Sequence, residues 1–288
     1  MFKISNRNLC YLLLFVLISL QSYCSANPSQ KPSVLVTVAP HKFFVEQIAN
    51  GTIDVLLIVP DGASSHTYEP TPMQILSASR ADIWFRIGEP FEERAAQALK
   101  SHRPKLQLID LKQGLDLIHH THKGCCCAGG DDLHFWLSAR QAIIQARTIA
   151  HVLSQTYPEN AQIYQKNLIA FQKELEELDR ELGMILSVLK NRDIFVSHPA
   201  YAYFCRDYDL KQYSIEMEGK DPTPQQMTRL LNQMRALQVR TIFIQKQYNN
   251  KAAKLISETV GAKIKVLNPY SENYMVTMRE IAHAFANQ

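Results

Sequence analysis

Short apolar runs rich in β-branched residues alternate with helix-compatible stretches across residues 33–111, and the same alternation returns after residue 190. That doubled rhythm is the strongest restriction on the fold. In the first half the strand candidates are residues 34–38, 53–59, 83–85 and 106–111, with helix candidates at 43–49, 73–78 and 91–100 between them. In the second half the strand candidates are 194–196, 212–217, 241–244 and 263–267, each followed by a helix candidate. Continuous apolar strands separated by helices are what a parallel sheet covered on both faces requires. The halves also echo each other in detail. Pro70 and Pro72 stand before the helix candidate at Met73, as Pro222 and Pro224 stand before the one at Gln225, and proline is favoured at the first turn of a helix.

Between the halves, residues 159–182 contain neither glycine nor proline. Leu168, Phe171, Leu175, Leu178, Leu182, Ile185, Leu186 and Leu189 recur at three- and four-residue steps, while Lys173, Glu174, Glu176, Glu177 and Arg180 fall on the opposite face. Residues 158–190 are therefore expected to form one helix about 45 Å long, a stiff spine with a solvated charged face. The fold class expected is α/β: two Rossmann-like lobes with parallel four-stranded sheets, residues 27–157 and 191–288, joined by the spine.

The first residues address the compartment. Lys3 and Arg7 precede an uncharged apolar run from Leu9 to Leu20, about a dozen residues against the roughly 20 needed to span a bilayer. Cys24-Ser25-Ala26 supplies small side chains for a signal peptidase. Residues 1–26 are read as a signal peptide cut after Ala26, so the mature protein is expected in the periplasm, soluble and monomeric. An uncleaved anchor and a lipoprotein acylated on Cys24 are the alternatives. Removing this segment lowers the formal charge from +4 to +2. Nucleic acid is excluded as a partner, because phosphate binding needs clustered Lys and Arg, and here 31 basic residues are interspersed with 27 acidic ones.

Four cysteines lie beyond residue 26: Cys125, Cys126, Cys127 and the distant Cys205. Export favours disulfides, yet adjacent cysteines do not meet disulfide geometry. The triplet sits in the most irregular stretch, residues 114–133, beside His119, His120 and His122. Its glycines and polar residues offer no apolar face to bury, so a mobile surface loop is expected. Imidazole and thiolate are both zinc ligands. The loop is either a metal collector or a solvated linker.

Three other histidines are placed differently. His66 follows the strand candidate that ends at Val59, His134 closes the loop before Phe135-Trp136, and His198 comes directly after Phe195-Val196-Ser197. Ligands bind at the carboxyl ends of strands in open α/β sheets, so these histidines could converge on one ion between the lobes. Alone, each reads more readily as a turn residue or a satisfied polar group than as a ligand. His41 is a weaker candidate of the same kind, while His102, His151 and His283 read as helix-surface or packing residues.

The stretch Val59-Pro60-Asp61-Gly62-Ala63-Ser64-Ser65-His66-Thr67-Tyr68-Glu69-Pro70-Thr71-Pro72 resembles the first ligand segment of the ZnuA/TroA-like metal receptors of ABC transporters. Ala81-Asp82-Ile83, Asp132-Leu133-His134-Phe135-Trp136-Leu137 and Val196-Ser197-His198-Pro199-Ala200-Tyr201 resemble later blocks of that family in the same order, and the likeness runs on through Val266-Leu267-Asn268-Pro269. The resemblance implies that His66, His134 and His198 hold the ion, that the ion is Zn²⁺ as transported cargo, and that an ABC importer permease receives it. It also implies an auxiliary, low-affinity role for His119, His120 and His122. Where the family often adds a carboxylate from the second lobe, this chain has Asn268, and Gln245 stands where Glu is common. A water, an amide oxygen or another side chain is left for the fourth position. Manganese and iron receptors of the same family, a zinc hydrolase and a surface adhesin are the rival readings. A hydrolase would need a general base, and Glu69, flanked by Pro70, is the nearest carboxylate in sequence to His66.

Overall fold

The computed structural model describes residues 31–119, 130–216 and 220–288. The proposed signal peptide, His120, His122 and the cysteine triplet lie outside these residues. The first lobe runs β1 (Ser33–Val36), α1 (Ala39–Ala49), β2 (Asp54–Leu57), α2 (Pro72–Ala78), β3 (Ile83–Arg86), α3 (Pro90–His102) and β4 (Gln107–Asp110). Two long helices follow, α4 (Ala139–Thr156) and α5 (Ala161–Ser187). The second lobe runs β5 (Asp193–Val196), α6 (Ala202–Asp207), β6 (Lys211–Ser214), α7 (Pro224–Ala236), β7 (Thr241–Gln245), α8 (Lys251–Val260), β8 (Lys263–Leu267) and α9 (Tyr274–Ala286).

Both sheets are wholly parallel, in the orders β2-β1-β3-β4 and β6-β5-β7-β8. The same order in both halves puts two switch points, β1/β3 and β5/β7, at corresponding places, and strand carboxyl ends there are where ligand loops emerge. The echo extends to capping. Thr71 and Thr223 each accept from the backbone N–H three residues on, and Gln74 and Gln226 each return a bond to the cap, with Pro72 and Pro224 at the first helical positions.

The spine is shorter than the sequence suggests. Pro158–Asn160 form a single 3-10 turn, and the α-helix proper spans 27 residues, about 40 Å. The turn makes α5 the return arm of an antiparallel hairpin with α4: Arg140 pairs with Asp179, and Gln165 reaches Ser154. The buried stripe is as expected, with Tyr164 added at its start and Ile185 and Leu189 only partly covered.

The ends of the 114–133 stretch also differ from expectation. Leu115, Leu117 and Ile118 pack against the main core, Ile118 N donates to Tyr203 Oη at 3.0 Å and Asp132 N donates to Ile118 O at 2.9 Å. Apolar residues and buried backbone groups at both ends are thus held, contrary to a loop with nothing to bury. Cys205 is a free thiol inside the core, and burial pushes its pKa up. Among the described residues, no helix is long and apolar enough to cross a membrane.

Candidate metal centre

Local chain geometry delivers each histidine. After β2 the chain turns at Gly62, whose φ of +82° suits glycine, into a 3-10 turn at Ser65–Thr67 that carries His66. His134 precedes a second 3-10 turn, Phe135–Leu137, all three residues of which are buried. His198 stands two residues beyond the end of β5. His134 and His198 are fully buried, and the His66 side chain is 10% exposed.

The three rings meet. One ligand nitrogen from each lies within 4.8 Å of the other two, and His66 Nε2 is 3.2 Å from His134 Nε2. The orientation comes from three carboxylates. Glu89 holds His66 Nδ1 at 2.9 Å, Asp132 holds His134 Nδ1 at 2.8 Å and Glu216 holds His198 Nδ1 at 2.8 Å. With Nδ1 of each ring donating outward, Nε2 is the nitrogen that each offers as a lone pair. Lone pairs that converge repel one another unless a cation or a proton lies between them. Burial opposes protonation of His66, but the hydrogen bond and charge of Glu89 outweigh it and raise the pKa above the usual value. Burial likewise disfavours the Glu89 carboxylate, and the bond to His66 outweighs that, so its pKa is lowered.

Glu89 is itself held in place. The neighbouring Glu92 carboxylate accepts from Ile87 N at 3.0 Å, from Gly88 N at 2.7 Å and from Thr37 Oγ1. Burial pushes the Glu92 pKa up to about 7 against those hydrogen bonds. Ser65 Oγ adds a 2.7 Å bond to Glu89.

The segment around His134 is tied to the second lobe. Trp136 Nε1 donates to Pro269 O at 3.0 Å, Tyr274 Oη donates to Trp136 O at 2.8 Å and Tyr203 Oη donates to Asp132 O at 2.7 Å. The Tyr248 ring stacks on His198 at 3.8 Å and 12°. Tyr270 Oη lies 3.3 Å from His134 Nε2.

The remaining sequence candidates are placed elsewhere. His119 Nδ1 bonds Asp131 at 2.7 Å, with its side chain largely exposed, and it is not part of the three-ring cluster. His41 is buried among Phe44, Phe135 and Trp136, with Nε2 2.7 Å from Gln145 Oε1, and burial lowers its pKa to about 4. His102, His151 and His283 are exposed on helices. Glu69 pairs with Arg94, which leaves it committed away from the cluster. Gln245 is buried beside the Tyr201 hydroxyl. Glu89, Glu216, Tyr248 and Tyr270 carry no role in the sequence pattern read above, and Asp132 enters it only as a neighbour of His134. A shared signal existed for two of them: Glu89 and Glu216 also sit just past strand carboxyl ends, those of β3 and β6.

Comparison with known proteins agrees with this architecture. The family profile described as ZnuA, zinc-uptake complex component A, periplasmic, matches residues 34–288. A putative metal-binding protein of Chlamydia trachomatis is 32% identical over 281 residues, covering 96% of this chain and 99% of that protein. The high-affinity zinc uptake system protein ZnuA of Bacillus subtilis is 26% identical, covering 83% and 78% respectively. A crystal structure of ZnuA superposes with a TM-score of 0.84 at 33% identity, covering 90% of this chain and 99% of that one. With its two parallel sheets, its joining helix and its match along nearly the whole described length, the chain belongs to the ZnuA family of metal-binding, substrate-binding proteins of ABC transporters.

Proposed function

We propose that this protein captures Zn²⁺ on Nε2 of His66, His134 and His198 and passes it to the membrane permease of an ABC importer, after export and removal of residues 1–26. The observation that carries the proposal is the set of three carboxylate-to-Nδ1 bonds, which turn three imidazoles from separate loops toward one point. Imidazole nitrogens at about 2.0–2.1 Å suit zinc, whereas manganese prefers oxygen donors. Copper and nickel would also take such a site by intrinsic affinity, so selection over them depends on supply. His119, His120 and His122 serve as an outer collecting point of lower affinity.

The test is metal analysis of the protein after exposure to equal amounts of zinc, manganese and iron. Zinc is expected to be retained preferentially, and manganese or iron in excess of zinc would overturn the assignment.

The same cluster sets a pH dependence. Only a neutral imidazole ligates, so protons compete with zinc. His66 has a raised pKa, so affinity is expected to be full well above that value and to start falling at a higher pH than an ordinary histidine near 6.5 would give. The fall should steepen to about tenfold per pH unit for each proton displaced. Calorimetric zinc titrations between mildly alkaline and mildly acidic pH check this, and a flat profile would contradict it.

A further inference from the structure

The three imidazoles leave a fourth position to fill, and Asn268 is committed elsewhere. Its Oδ1 accepts from Gln247 Nε2 at 2.5 Å and from the Tyr270 backbone N–H at 3.3 Å. Asn268 therefore shapes the turn that follows β8 and fixes the position of Tyr270. The Tyr270 side chain is buried against the Trp136 ring. Its phenol oxygen is 3.3 Å from His134 Nε2, 3.3 Å from Ser65 Oγ and 3.3 Å from Tyr248 Oη. That oxygen comes from the second lobe, the side on which the sequence lacks its expected carboxylate.

The distances have a specific meaning for a tetrahedral ion. Four donors bonded to zinc at about 2.0–2.1 Å lie about 3.3 Å from one another along each edge of the tetrahedron. His66 Nε2 and His134 Nε2 are separated by 3.2 Å, and Tyr270 Oη and His134 Nε2 by 3.3 Å. Both separations match that edge. Along the edge it shares with His134, the Tyr270 oxygen is placed as a fourth donor would be.

We infer that the phenol oxygen of Tyr270 is the fourth zinc ligand. The inference rests on the three-histidine reading above. When the ion enters, the O–Zn bond forms as the phenol proton leaves to solvent, and the Tyr248 hydroxyl is in place to donate to the resulting phenolate. The job that a carboxylate at position 268 would do has moved two residues along the chain, and Asn268 has become its positioning residue.

The experiment is zinc titration of the full chain near neutral pH, followed by ultraviolet difference absorption and by affinity, for the wild type and Tyr270→Phe. The wild type is expected to develop a tyrosinate difference band that saturates at one equivalent of zinc. Tyr270→Phe is expected to lack the band and to bind zinc about tenfold or more weakly. A wild type without the band, or a variant that keeps both the band and wild-type affinity, overturns the inference. The wild-type band decides the matter even if the variant folds poorly. His66→Ala separates the two readings: if it keeps wild-type affinity, the three-histidine site fails, whereas loss of zinc by His66→Ala alongside a missing band removes Tyr270 alone.

Discussion

Replacing His198 by alanine is expected to weaken zinc binding by at least about a hundredfold. Loss of a carboxylate that only orients a ligating histidine costs about 10–100-fold in metal affinity, and loss of the ligand itself removes both the bond and the orientation. His198 is fully buried, held by Glu216 on Nδ1 and covered by the Tyr248 ring. Truncation also leaves Glu216 without its imidazole partner. Glu216→Gln leaves the His198 ring in place but weakens the bond that aims it, and is expected to cost about tenfold. Competition with a chelator of known zinc affinity measures both. Equal retention by His198→Ala would remove this residue from the site.

The second large effect falls on stability. Trp136 is 1% exposed and packs against His41, His134, Phe135 and Tyr270. Its indole and its carbonyl both bond the second lobe, to Pro269 O and Tyr274 Oη. Trp136→Ala is expected to lower the unfolding free energy by about 3–5 kcal/mol, the range for emptying a large aromatic site in a close-packed core. Urea unfolding of the zinc-free protein gives the number. A change below about 1 kcal/mol would mean that the turn carrying His134 is not anchored through this side chain. Zinc affinity should fall as well, because His134 lies two residues away on the same clamped segment.

What the sequence made legible follows the range over which each cause acts. Strand runs such as Val34-Leu35-Val36, the spine stripe and the paired proline-led helix starts are local patterns, and they emerge at nearly the expected positions. α4 has the same stride, with Ala142, Ala146, Ile149, Ala150 and Leu153 buried, yet its alanines make the stripe faint beside the leucines of α5. His66 and His198 were recognisable by position, since a strand end projects its following residue toward the edge where ligands bind. Their partners were not. The pairing of Glu89 with His66 spans 23 residues, that of Glu216 with His198 spans 18, and Tyr270 reaches His134 across 136. No periodicity encodes such meetings. They come from packing, whereas the bond from the Tyr270 amide to Asn268 is a local turn contact two residues long.

Three negative groups stand behind the rings at Glu89, Asp132 and Glu216, and their effect reaches beyond aiming nitrogens. Charges in a low-dielectric interior interact several times more strongly than in water, so the valence of an entering ion matters at this seat as well as its element. A dication offsets two of these three carboxylate charges and a singly charged ion such as Na⁺ only one, while the greater hydration that the dication surrenders is repaid by the imidazole nitrogens, donors that suit zinc. Selection against alkali cations then needs no steric gate.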